Sequence, residues 1–290
     1  MNPVFNFRSL TREDLGQMYR TFLEAFSDYS VNMKMSREAF EDRMVSKLNI
    51  RFDLSPGVFS GDKLIAFILH TVNKYEDSLA AYNGGTGVIP GYRGHGLTAK
   101  MYEFVDPQLR KEGVKKCVLE VLEDNHVAIL SYEGVGFQKS KKFQCLMLKG
   151  GRLKRTLDMP DALLEVGDFV IDEYAELGGV VPGMLDQLTQ VKYHLQKEII
   201  LEYRKEGQLI AYIIFQPVNG RITQLAVRPD FRRQGIGSAM LIKMHTLSEN
   251  KTLSVLNIED REKGLISFFE SNGFTCDLQQ WEMQKTLDYG

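Results

Sequence analysis

LAVRPDFRRQGIGSAM, Leu225 to Met240, runs from an apolar strand candidate through a basic, glycine-bearing turn straight into an amphipathic helix candidate. TGVIPGYRGHGLTAKM, Thr86 to Met101, follows the same plan, with Pro90 over Pro229, Arg93 over Arg232 and Gly96 over Gly235, 139 residues apart. Glycines let backbone N–H groups approach closely, and a helix start presents unsatisfied donors and a positive dipole end, so such a turn suits a phosphate-sized anion. A single Gly-x-Gly turn is also an ordinary strand-to-helix connection. Here the turn recurs in register. A Gly-Phe pair follows each copy, Gly136-Phe137 and Gly273-Phe274, 40 and 38 residues after the loop glycine. The repeat is therefore a whole structural unit.

The chain of 290 residues is long enough for two ordinary domains, and the repeat offset gives each a usual size. Its 43% hydrophobic and 26% charged residues belong to a globular protein, and a net charge of −2 offers a polyanion no global attraction. Neither nucleic acid nor membrane is expected as a partner. The basic patches Arg232-Arg233 and Lys139 to Lys142 read as solvated faces. Cys117, Cys145 and Cys276 are too scattered for a disulfide framework or a metal site. The N-terminal stretch lacks the apolar core of a signal peptide, and no apolar run spans a bilayer, so a cytoplasmic location is expected.

Alternation in FNFRSL predicts a first strand, and Thr11 predicts the cap of a helix carrying Leu15, Met18, Phe22 and Phe26. A second helix is predicted over Ser36 to Leu48. Hairpins turn at Gly61-Asp62 and Glu206-Gly207. After each basic loop comes a helix, Leu97 to about Arg110 and Ile236 to Leu247, in which Pro107 predicts a kink and Gly113 a C-terminal cap. KKCVLEVLE and LSVLNIED read as buried strands leading into second helices. Phe143 to Lys149 reads as the closing strand of the first half and Trp281 to Leu287 as that of the second. Gly150 to Pro160 reads as a linker. Domains at 1–149 and 150–290 follow.

Arg232, Gly235 and Gly237, with the series Asn125, Ala128, Tyr132, Gly136 and Phe137, resemble the GNAT superfamily of acyl-CoA-dependent N-acyltransferases, in tandem form as in the mycothiol synthase type. The resemblance implies two α/β domains, each a mixed, mostly antiparallel sheet with splayed central strands flanked by helices. It implies acetyl-CoA as cosubstrate, a primary amine as acceptor, and direct acetyl transfer without a metal. The coenzyme would be held in the first half by Val88, Ile89, Arg93, Gly94, His95, Gly96, Leu97, Thr98 and Asn125. In the second half the matching positions are Val227, Arg232, Arg233, Gln234, Gly235, Ile236, Gly237 and Ser238.

The halves differ. Tyr132 stands where the family places the acid that protonates the departing sulfur, and Glu120 is the best carboxylate for a general base. Thr98 replaces the usual small residue of the loop, yet its hydroxyl can still serve a phosphate. The second half keeps the loop but carries Phe269 where Tyr132 would be and Glu262 in place of Asn125. Catalysis is therefore expected in the first half. The alternatives are catalysis in the second half, as in some tandem members, or a non-catalytic acyl-CoA sensor. Gly94-x-Gly96-x-x-Ala99 with Glu120 downstream imitates a dinucleotide fingerprint, but the hairpins before it exclude the required βαβ unit. His95 in the first loop and His126 beside Asn125 read as polar surface residues and not as bases, and His194 has no motif around it.

Overall fold

The computed structural model describes residues 4–29, 33–150, 153, 163–166, 169–177 and 183–287. In chain order these form β1 (Asn6–Ser9), α1 (Leu15–Ala25), α2 (Arg37–Glu41), β2 (Pro56–Ser60), β3 (Lys63–Tyr75), β4 (Ser78–Val88), α3 (Leu97–Lys111), β5 (Lys116–Leu122), α4 (His126–Glu133) and β6 (Gln138–Leu148). Then follow β7 (Leu163–Val166), α5 (Ile171–Glu176), α6 (Leu188–Val191), β8 (Ile199–Lys205), β9 (Gln208–Gln216), β10 (Arg221–Val227), α7 (Ile236–Leu247), β11 (Leu253–Glu259), α8 (Lys263–Ser271) and β12 (Thr275–Thr286). No described helix is long and apolar enough to cross a membrane.

The chain divides into two compact units, residues 1–140 with 281–290, and residues 141–280. Within the first, β1 to β4 are antiparallel neighbours and β5 lies parallel to β4. Within the second, β7 to β10 are antiparallel, β11 is parallel to β10, and β6 pairs antiparallel with β11. Both units are α/β with mixed, mostly antiparallel strands, as the sequence implied.

The closing strands are exchanged relative to the sequence reading. Residues 141–148 of β6 belong to the second unit, paired from Glu259↔Phe143 to Leu253↔Leu148. Residues 281–286 of β12 belong to the first, where Met283 and Leu287 are buried with Met101, Val105 and Leu109. Leu287 N–H donates to Lys115 O at 2.9 Å. The physical reason is that an isolated apolar strand carries no address. QCLMLKG and WEMQKTL each suit either sheet edge, and distant partners decide which edge each joins.

Local signals hold elsewhere, with adjustments. Ser36 caps α2, its Oγ accepting Ala39 N–H at 3.1 Å, but the predicted single helix widens over Asp42–Lys47 into wider π-type turns that still bury Met44. Leu48 closes it by donating to Arg43 O at 2.9 Å. Glu206 and Gly207 turn the β8–β9 hairpin with φ of +52° and +79°, as a tight two-residue turn demands. In α3, Leu97, Met101, Tyr102, Val105 and Leu109 are buried, Phe104 only half so, and the helix runs through Pro107 to Lys111. The predicted linker lies outside the described residues apart from Gly150 and Leu153. Leu163–Val166 forms a strand on β8.

Candidate active site

The two basic loops have one backbone conformation. Arg93 and Arg232 both adopt φ −68°, ψ 159°. Gly94 and Arg233 follow at φ +78° and +65°, and Gly96 and Gly235 start the helices at φ +66° and +86°. Arg233 takes the left-handed region with a side chain, at a cost on the order of 1 kcal/mol that its glycine counterpart avoids. Intrahelical bonding begins only with Lys100 N–H to Gly96 O (3.1 Å) and Ala239 N–H to Gly235 O (3.0 Å). Among the described residues, the amides of 94–99 and of 233–238 therefore have no internal acceptor. They lie at the positive ends of helices of 15 and 12 residues. A Cβ added at Gly91, Gly94 or Gly96 meets nothing within 4 Å, so the first loop has room before it. A diphosphate fits this donor set.

Several predicted loop residues shape the turn instead of facing its mouth. Arg93 Nε donates to Val88 O (3.3 Å), and its Nη atoms bind Asp28 (2.6 and 2.8 Å) and Ala25 O (2.9 Å), bracing α1 against β4. That guanidinium holds the Asp28 carboxyl below its usual range. Arg232 Nε makes the corresponding bond to Val227 O at 2.9 Å. Ile89, Leu97, Ile236 and Ser238 are buried anchors. His95 Nδ1 faces the carbonyls of Tyr92 (3.2 Å) and Arg93 (3.1 Å), and Gln234 Nε2 donates to Asp230 O (3.2 Å). Gly237 lies against the Phe268 ring, which a Cβ would approach to a tight 3.1 Å. Thr98 is half-buried in the first turn of α3.

Behind each loop the parallel strand pair opens. β4 and β5 pair from Ala80↔Lys116 to Asn83↔Leu119 and then part, although β4 continues to Val88 and β5 to Leu122. β10 and β11 part after Ile222↔Val255. Both partings coincide with a β-bulge: Leu69↔Gly85 and His70↔Asn83 leave Gly84 extra, and Phe215↔Ile222 and Ile214↔Gln224 leave Thr223 extra. An extra residue bends a strand and re-aims its groups, which here turns β4 and β10 from their parallel neighbours. In the second unit this opening is a small cleft, open to solvent, lined by Ile222, Thr223, Gln224, Val255, Asn257 and Phe269.

The first opening carries proton-bearing groups on both faces. On the α3–α4 face, Asn83 Nδ2 donates to Tyr102 OH (3.0 Å) and Thr86 Oγ1 (2.8 Å). Tyr132 of α4 stands edge-on to Phe137 at 5.8 Å, and Phe137 edge-on to Tyr102 at 5.2 Å. Burial raises the Tyr132 phenol above its ordinary pKa, while hydrogen bonding from Thr86 and Asn83 pulls it partly back, so the proton stays on at neutral pH. Asn125 caps α4, its Oδ1 accepting Ala128 N–H at 3.2 Å, with its Nδ2 3.5 Å from Tyr29 OH. Glu120 alternates with the core residues Cys117, Leu119 and Val121 and so occupies the opposite face, where Tyr82 OH donates to its Oε2 at 2.8 Å. After α1, Phe26 packs edge-on to Tyr29 at 5.4 Å, and residues 30–32 lie outside those described.

The second unit differs as its residue types require. Phe269 is buried among Phe268 and Phe274, and Glu262 heads α8 without capping it. His194, outside any sequence motif, is buried with Nδ1 2.9 Å from Glu198. Sequence reasoning missed both bulges and the Tyr82, Asn83, Thr86 and Tyr102 hydrogen bonds. The Gly84-Gly85 pair inside a strand was the available signal, since strand glycines mark bulges and close approaches.

Two family models match this architecture: an acetyltransferase (GNAT) family model over residues 15–137 and an acetyltransferase (GNAT) domain model over 196–276. N-alpha-acetyltransferase 30 of Saccharomyces cerevisiae is 31% identical over 84 residues, 29% of this chain and 48% of that protein, so the chain spans about half the length of this curated relative. Solved structures match the whole chain in fold. A GCN5-related N-acetyltransferase from Sphaerobacter thermophilus gives a TM-score of 0.72 at 15% identity, covering 99% of this chain and 96% of its own. A tandem GNAT protein from the clavulanic acid biosynthesis pathway gives 0.72 at 15% identity, covering 99% and 100%. With both halves matched and the loop, bulge and splay repeated in each, the chain belongs to the GNAT acetyltransferase family and is a tandem GNAT protein.

Proposed function

We propose that the protein is an N-acetyltransferase whose first unit moves an acetyl group from acetyl-CoA to a primary amine. The observation that carries this reading is the coincidence, in one unit, of acceptor-free loop amides, an opened strand pair and a protonated phenol on the adjoining helix. When bound, acetyl-CoA supplies the acetyl thioester. The amides of 94–99 hold the diphosphate, with Val88 and Ile89 fixing the strand end and Arg93 bracing the turn. Asn125 offers its side-chain amide beside the opening.

On the opposite face Glu120, oriented by Tyr82, takes the proton released as the amine nitrogen bonds to the acetyl carbon. The Tyr132 hydroxyl gives its proton to the sulfur as the thioester bond breaks, and solvent restores it. Direct transfer then depends chiefly on positioning, which two fixed strands and a loop provide. The second unit's loop, Arg232 to Ser238, offers the same donors and its cleft the same opening, so it can hold a coenzyme, but Phe269 donates no proton. A second reading, an acyl-CoA sensor, draws on that loop and cleft. Acetyl-CoA consumption measured with a panel of amines separates the two. Amine-dependent release of free thiol supports transfer, and tight binding without release supports a sensor.

A further inference from the structure

We propose that Gly85 decides which half accepts an amine: lacking a side chain, it leaves the strand face beside the first opening clear, whereas Gln224 stands at its position in the second, next to Thr223. This rests on the reading that transfer occurs in the first unit. Gly84 and Thr223 are the extra residues of the two bulges and stand 139 positions apart, as do Gly85 and Gln224. A bulge places two successive residues on one face of the strand. Asn83 and Thr86 both face α3, which leaves the glycines pointing the other way. A Cβ on Gly84 would lie 2.9 Å from Leu48 Cδ1, just beyond α2, and one on Gly87 would meet Phe67 and Ala25. A Cβ on Gly85 meets nothing within 4 Å, and its φ is not in the left-handed region, so only the missing side chain keeps that space clear. The Glu120 carboxylate and the Tyr82 hydroxyl occupy this same face.

In the second unit the corresponding side chains are tied down. Thr223 Oγ1 lies 3.1 and 3.0 Å from the two Glu198 oxygens. Gln224 Nε2 donates to the Asp186 carbonyl, and the Asp186 carboxylate is held by Arg221 Nη2 at 2.7 Å. Glu198 also accepts from Gln216 Nε2 at 2.9 Å and faces His194 Nδ1 at 2.9 Å. An amine entering here would break hydrogen bonds to buried carboxylates, each worth more than a neutral bond. It would meet no such barrier at Gly85.

The test is to install the second unit's side chain in the first. Gly85→Gln, with Gly85→Ala and Gly85→Ser as smaller steps, is compared with Tyr132→Phe for amine-dependent thiol release, slow hydrolysis of acetyl-CoA by water, coenzyme affinity and thermal midpoint. Gly85→Gln is expected to lower kcat/KM for the amine by about 10²-fold, with smaller graded losses for Ser and Ala. Hydrolysis, coenzyme affinity and midpoint stay native, because water is small and the loop is untouched. Should Gly85→Gln not fold, the Ala and Ser variants carry the same graded expectation. Amine turnover by Gly85→Gln within about threefold of native, with Tyr132→Phe inactive, overturns this inference alone. Native turnover in both, or no turnover by the native protein with any amine, overturns the first-unit reading as well.

Discussion

Replacing Tyr132 by Phe removes one oxygen and leaves the ring in place. The ring's packing is the edge-on contact with Phe137 at 5.8 Å, which phenylalanine keeps, so the folding cost is confined to a hydroxyl bond and should be no more than about 1 kcal/mol. The chemical cost is larger. A positioned acid contributes about 10²–10⁴-fold, or roughly 3–5 kcal/mol of barrier at 1.36 kcal/mol per tenfold. The loss should fall on kcat with the amine saturating, while coenzyme affinity, set by loop amides that do not involve this side chain, is unchanged. Because burial raises the phenol pKa, Tyr132 stays protonated in the native enzyme, and no falling limb in the rate below its ordinary pKa is assigned to it. Free-thiol release under saturating acetyl-CoA, beside a calorimetric coenzyme titration, measures both quantities. Turnover of Tyr132→Phe within about threefold of native would refute the assignment of the acid.

The exchanged closing strand makes Met283→Ala, near the end of the chain, a perturbation of the first unit. Met283 is 0% exposed in that core, so truncation should cost roughly 2–5 kcal/mol and weaken amide-exchange protection in β3, β4 and α3 more than in β9, β10 and α7; the reverse pattern would contradict the strand assignment. His70 is buried with Nδ1 2.8 Å from Leu54 O, and burial lowers its pKa to about 4 from 6.5. The unfolded chain therefore binds this proton more readily. Stability is complete above about pH 6.5 and falls by about 1.4 kcal/mol per pH unit toward pH 4, a loss of about 3 kcal/mol. Urea midpoints of native protein and His70→Asn across this window should differ in slope, and parallel slopes would remove His70 from the acid response.

What could be read from the chain was what neighbouring residues decide. The repeated loop, its helices and the Gly-Phe pairs rest on local backbone preference and helical spacing. The tight turn at Glu206-Gly207 and the cap at Ser36 rest on one or two residues each. The remainder depends on partners distant in sequence. Arg93 reads as a phosphate ligand until Asp28, 65 residues earlier, is seen to take its guanidinium. Glu120 gains its orientation from Tyr82, and the bulges exist only relative to β3 and β9. Nothing within either closing strand marks the unit it joins, and burial of Met283 and Leu287 beside Met101 assigns the last one to the first unit.

The central claim is that the amides at the start of α3 hold the diphosphate of the coenzyme. Thr98→Asp tests it with little risk to the fold, since a carboxylate in a helix's first turn is neutral or stabilising by about 0.3–1 kcal/mol, yet it opposes a bound anion. Coenzyme A titrated into native and Thr98→Asp protein should show the first-unit affinity reduced at least about tenfold while the thermal midpoint holds or rises. Unchanged affinity and stoichiometry in Thr98→Asp would contradict the account.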